Sequence, residues 1–140
     1  MPHLLSTIAL LCITTAASAL SSAADLTIKV DDVKSASGTV NVAVYTTAQQ
    51  FLKQPLTFTA APAVKGSTTL LIKDLPAGDY AFAIYHDANA NGKMDTNMVG
   101  IPTEDYAFSN NAMGKMGPPA FEAAHFVLPA AGAALTVSVR

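Results

Sequence analysis

The chain has 140 residues, 51% of them apolar and only 13% charged, with eight basic against ten acidic residues for a net charge of −2. This excludes a disordered chain, which combines low hydrophobicity with high net charge. It also argues against a nucleic-acid binder or a polybasic membrane-surface protein, both of which need a basic patch.

Residues 4–20 are mostly apolar, and no Asp, Glu, Lys or Arg occurs before Asp25. The apolar centre, Leu4 to Ile13, is about ten residues long, half of the roughly 20 that a spanning helix needs. Small residues follow, and two cleavage sites fit the A-x-A rule, after Ala17-Ser18-Ala19 and after Ser22-Ala23-Ala24. Residues 1–24 are therefore expected to be a signal peptide, and 25–140 one exported domain, periplasmic or secreted. Cys12 is the only cysteine and lies in this leader. The mature chain would then hold no disulfide, thiol nucleophile or cysteine–zinc site. Leu11 before Cys12 does not fit a lipoprotein signal.

Period-2 alternation dominates after Asp25. Leu26, Ile28 and Val30 mark a half-buried strand, and Val40, Val42 and Val44 a second one opened by Ser37-Gly38. Thr47 is placed to cap a short helical turn over Ala48–Leu52, stopped by Pro55. Leu70 and Ile72 lie in a third strand. Leu75-Pro76-Ala77-Gly78 is a turn, and Tyr80, Phe82, Ile84 and His86 then share one face of a fourth strand. Ala81, Ala83 and Tyr85 make its other face apolar too, so this strand is expected to be covered on both sides. His125–Leu128 and Leu135–Val139 give two more around a Pro129–Gly132 turn. Six or seven short strands with regular turns predict an all-β fold, an antiparallel sandwich, with a small barrel as the alternative. Thr96–Pro119 reads as one long ordered loop, rich in Gly, Asn, Met and Pro.

The fourth strand runs into Asp87-Ala88-Asn89-Ala90-Asn91-Gly92-Lys93-Met94-Asp95. Calcium takes six to eight oxygen ligands, and alternate oxygen-bearing residues let a tight loop aim several at one point. Asp87, Asn89 and Asn91 would fill positions one, three and five, the Lys93 carbonyl position seven and Asp95 position nine, with Gly92 at the sharp turn. Met98 stands where an EF-hand has its bidentate glutamate, and no amphipathic helices flank the loop. This is not an EF-hand; it resembles the calcium loops that extracellular β-domains carry at strand ends. The competing reading is a metal-free turn, since Asn-Gly marks a hairpin and Asp and Asn form Asx-turns unaided.

Other residues carry weaker signals. His86, Glu104, Ser109 and Asn110 could gather near this loop as ligand contacts. His86 by default is a hydrogen-bonded structural histidine. Ser109 lacks a nucleophile context, so no catalytic residue is assigned and no enzyme is expected. His86 with His125 is a poor zinc set. Met94, Met98, Met113 and Met116 have the thioether softness for copper(I), but methionines more often fill gaps in a core. Tyr45, Tyr85 and Tyr106 could stack on a sugar.

Leu75-Pro76-Ala77-Gly78-Asp79-Tyr80-Ala81, the His86–Asp95 loop, Gly100-Ile101-Pro102-Thr103-Glu104, Phe108-Ser109-Asn110-Asn111 and Pro118-Pro119-Ala120-Phe121-Glu122-Ala123-Ala124 occur in that order. The series resembles the bacterial domain-of-unknown-function family 2141, small exported proteins, over nearly all of 25–140. Asp105 and Ala107 depart from the small residues usual there. The resemblance implies a β-sandwich of the immunoglobulin or transthyretin general kind and no activity. The expected function is an envelope binding or structural module with a calcium-stabilised loop; a periplasmic small-ligand or metal-handling protein is the alternative, an enzyme the third. The expected partner is an envelope protein or small ligand, with no nucleic acid and no membrane span once the leader is removed. A 96–119 loop folded flat on its own side chains would favour a structural role; one roofing a polar concavity would favour a ligand.

Overall fold

The computed structural model describes residues 22–140; the leader expected over 1–24 lies, up to residue 21, outside the described residues. The chain folds as eight strands: β1 (Ala23–Val33), β2 (Thr39–Tyr45), β3 (Thr57–Pro62), β4 (Gly66–Pro76), β5 (Gly78–Asp87), β6 (Tyr106–Phe108), β7 (Phe126–Leu128) and β8 (Ala133–Ser138). They form two packed sheets, ordered β4-β1-β8 and β3-β2-β5-β6, with β7 on the early part of β5. Every pairing is antiparallel except β1 with β8, which is parallel. No helix among the described residues is long and apolar enough to cross a membrane.

Alternation decides what the sheets bury. In β1, Leu26, Ile28 and Val30 are fully enclosed, and β4 adds Leu70, Ile72 and Leu75. Opposite them stand Val40, Val42 and Val44 of β2 and Tyr80, Phe82 and Ile84 of β5. Interdigitation of two inner faces is what holds a sandwich together. Near the C-terminus, Arg140 exchanges two backbone hydrogen bonds with Tyr106, at 3.1 and 3.2 Å. The segment after β8 thus ties one sheet to β6 in the other.

The expected two-sided burial of β5 is found, and it has a second source. Ala43, Ala81 and Ala83 line the outer face of this sheet with small side chains. Aromatic rings settle there: Phe51 lies edge-on to Tyr45 at 5.3 Å, to Phe121 at 5.8 Å and to Phe108 at 6.2 Å between centroids. Such offset contacts add about 0.5–1.5 kcal/mol each beyond area burial.

The short helical turn expected over Ala48–Leu52 is found: the Thr47 hydroxyl accepts from Gln50 N and the Thr47 carbonyl from Phe51 N at 3.0 Å, and the turn ends where Leu52 has φ +60°. Two other expectations are corrected. The 96–119 segment is not all loop, since β6 and a one-turn 3-10 helix, Ser109–Asn111, lie within it. The edge strand β3 has no counterpart in the alternation pattern because its one large apolar side chain, Phe58, faces solvent.

Candidate functional site

The loop leaving β5 is built around one buried carboxylate. Asp87 is 1% exposed. Its two oxygens accept backbone N–H groups from Asn91 at 3.1 Å and Gly92 at 2.7 Å. The turn this requires places Gly92 at φ +79° and Ala90 at φ +56°. A side-chain oxygen satisfying two otherwise orphaned donors is the Asx-turn device, here used twice on one residue.

The next oxygens face inward from the same turn. Asn89 Oδ1 accepts from Asn91 N, and Asn91 Oδ1 from Lys93 N. Both amide groups donate to Asp95, Asn91 at 2.7 Å. These hydrogen bonds hold the Asp95 carboxyl below the usual carboxylate range, Asn91 contributing most and Asn89 next. Asp95 N in turn donates to Glu104 Oε2 at 3.0 Å. The other oxygen, Glu104 Oε1, is buried with no hydrogen-bond partner, the one such side-chain atom among the described residues. Nearby, burial pushes the Tyr85 hydroxyl up, and the Asp87, Glu104 and Asp95 carboxylates push it further. All three carboxylates act on Tyr85 without converging as one group.

Of the expected site residues, Asp87, Asn89, Asn91, Lys93, Asp95 and Glu104 come together. The others go elsewhere. His86 is buried and donates from Nε2 to the Ser37 carbonyl at 2.8 Å. Ser109 is enclosed between β5 and the helical turn α1 (Phe121–Ala124). Its hydroxyl accepts from Phe82 N at 3.0 Å and donates to the Ala124 carbonyl. Asn110 donates to the Ala123 and His125 carbonyls. His125 pairs with Asp79 at 2.9 Å, apart from His86. Tyr45 is buried among aromatic rings and offers no face to a sugar.

Among the described residues, no three His, Cys, Asp or Glu side chains stand together as a metal-holding group. A cation here would have to draw on amide and carbonyl oxygens as well as carboxylates, which suits a hard ion and not zinc. Nothing within the loop sequence replaces the missing position-twelve glutamate. Glu104 occupies that neighbourhood from across the loop, nine residues beyond Asp95, a relation that loop spacing does not encode.

The methionines do not plug the core. Met98 and Met116 are fully exposed and Met113 half exposed. Met94, Met113 and Met116 help line a cavity of about 740 Å³ on the outer side of the second sheet. The 96–119 segment thus neither lies flat nor roofs a polar concavity; its concavity is apolar.

The fold and this end loop define a two-sheet β-sandwich with an oxygen-rich turn where its central strand ends. A family profile matches residues 28–136, described as an uncharacterized protein conserved in bacteria, domain of unknown function 2141. The chain belongs to that family. No curated protein and no solved structure matched the chain.

Proposed function

We propose that this protein is an exported cell-envelope module with a binding or structural role, whose Asp87–Asp95 loop is stabilised by calcium. The observation that carries the calcium reading is Glu104 Oε1, a buried carboxylate oxygen without a donor, whose companion oxygen accepts from Asp95 N at the end of the loop. Leaving such a group unpaired is costly, and a hard cation relieves it. Asp87, Asp95 and Glu104 would supply carboxylate oxygens, Asn89 and Asn91 amide oxygens after a half-turn of each amide, and Lys93 its carbonyl. A role without catalysis is supported by Ser109 and His86, whose polar atoms are engaged by backbone inside the fold.

Calcium at 10 mM should stabilise the protein by about 2.7 kcal/mol if the dissociation constant is ~10⁻⁴ M, within the extracellular range. Magnesium should do much less, because it demands a tight octahedral shell. Asp87→Ala should abolish the response, but it also frees two backbone donors, so its effect mixes loop folding with binding. Glu104→Gln is cleaner: it should keep the calcium-free melting temperature and lose most of the calcium shift. A flat calorimetric titration of the unaltered protein, with no shift in melting, would leave only a metal-free Asx-turn.

The two cleavage sites differ in what they would leave of β1. The strand begins at Ala23, which pairs with Pro76, and Ala24 is buried against the core. Cleavage after Ala24 would remove both, whereas cleavage after Ala19 keeps the strand whole. N-terminal sequencing of the envelope fraction should therefore read from Leu20. Intact Met1–Arg140 recovered from the cytosol would refute export.

A further inference from the structure

The loop that Asp87 organises contains the chain's sole Asn-Gly step, Asn91-Gly92. An asparagine side chain can be attacked at Cγ by the backbone nitrogen of the next residue, and glycine leaves that nitrogen unshielded because it has no Cβ. Both residues are exposed, and a Cβ added to Gly92 would meet nothing within 4 Å. The backbone there has room to close a ring, and water has access to open it.

Two hydrogen bonds place the reacting groups. Asn91 Oδ1 accepts from Lys93 N at 3.1 Å, closing an Asx-turn ring that contains both Asn91 Cγ and Gly92 N. The electrophile is thereby folded back over its nucleophile, and the Lys93 N–H stands where negative charge develops on Oδ1. Gly92 N donates to Asp87 Oδ2 at 2.7 Å, so a carboxylate already holds the proton that must leave.

The loop region supplies its own comparisons. Asn89 and Asn97 also form Asx-turns, accepting from Asn91 N and Val99 N. Their next residues, Ala90 and Met98, each carry a Cβ. Ala90 N, moreover, donates to the Asp87 carbonyl and not to a carboxylate. Of the chain's six asparagines, Asn91 alone combines the turn, the following glycine and the base.

We propose that Asn91 modifies itself in the folded protein. Gly92 N bonds to Asn91 Cγ while Asp87 takes its proton; the Cγ–Nδ2 bond then breaks, and ammonia leaves with that proton. Water opens the resulting succinimide at either carbonyl, leaving aspartate or isoaspartate at position 91. The product reverses a contact. Asn91 Nδ2 donates to Asp95 Oδ1 at 2.7 Å, and a carboxylate in its place repels Asp95. The reaction requires no cation, so it stands apart from the calcium reading.

The test is peptide mapping by mass spectrometry of the full folded protein, held at neutral pH with a calcium chelator, against the same protein in urea. Position 91 should convert faster in the folded protein than in urea, with Asn89 and Asn97 intact. Asp87→Asn keeps an oxygen acceptor and removes the base. It should slow conversion in the folded state by about tenfold, less than the usual general-base contribution because an amide N–H is so weak an acid. Asn91→Asp copies one product and should lower the melting temperature in the chelator. Conversion confined to the urea sample would overturn the proposal, because the loop's hydrogen bonds would then protect Asn91. This comparison decides even if Asp87→Asn does not fold. Equal rates in the unaltered protein and a folded Asp87→Asn, or equal conversion at Asn89 or Asn97, would overturn the assigned roles of Asp87 and Gly92. An unchanged melting temperature in Asn91→Asp would overturn the repulsion of Asp95.

Discussion

Gly38→Ala should cost more than about 4 kcal/mol, the range reserved for substitutions with a distinct structural cause. Gly38 has φ +68°, where a side chain alone costs about 1–2 kcal/mol. Steric overlap adds more: a Cβ there would stand 1.9 Å from the Asp87 carbonyl oxygen and 2.9 Å from the Ala88 carbonyl carbon. Both are backbone, so no rotamer change relieves the overlap. The start of β2 and the end of β5, paired through Thr39 and Asp87, would have to separate. His86, bonded to Ser37, and the turn built on Asp87 would move with them. Denaturant melts of the two proteins measure the difference; a loss below about 1.5 kcal/mol would mean that the two backbones part there freely.

Phe82→Ala should destabilise the fold by about 3–5 kcal/mol, the usual cost of emptying a buried phenylalanine site. Phe82 is fully enclosed and the largest such side chain in the core. Its ring meets Phe126 edge-on at 5.6 Å, and its strand neighbours are fixed on both sides, by Val44 in β2 and by the Ser109 hydroxyl on its own backbone N–H. A site held so firmly has little room to collapse onto the cavity, which places the effect toward the upper end. An equilibrium melt showing less than about 1 kcal/mol would put Phe82 outside the core, where substitutions are nearly silent.

The strands legible in the sequence are those whose large apolar side chains point inward. β1, β2 and β5 repeat Leu, Ile, Val or Phe at every second position, and the period alone identifies them. β3 is hidden because Thr57, Thr59 and Ala61 face inward while Phe58 faces out, inverting the usual signal. β6 has three residues, too few to show a period, and is a strand only because β5 offers it hydrogen bonds. The Asp87–Asp95 turn is readable since its donors and acceptors are neighbours in the chain. Glu104 joins through tertiary folding. The apolar concavity is likewise invisible in the sequence: Leu52 and Met113 both line it, and no local pattern links them.

The parallel pairing of β1 with β8 has a consequence in time. Leu26 finds its partner in Ala133, on the order of a hundred residues later, so this ladder is among the most sequence-distant contacts that a domain of this size can make. Synthesis delivers the central strand of the three-stranded sheet early and one of its two neighbours late. Until β8 emerges, β1 has one row of unpaired backbone groups, the kind of edge on which other chains add. Completion of the sandwich, and the Tyr106–Arg140 tie between its sheets, must therefore wait for the segment that carries β8 and Arg140. For the export proposed above, that delay keeps the nascent polypeptide from locking into its final form while β8 is still unmade.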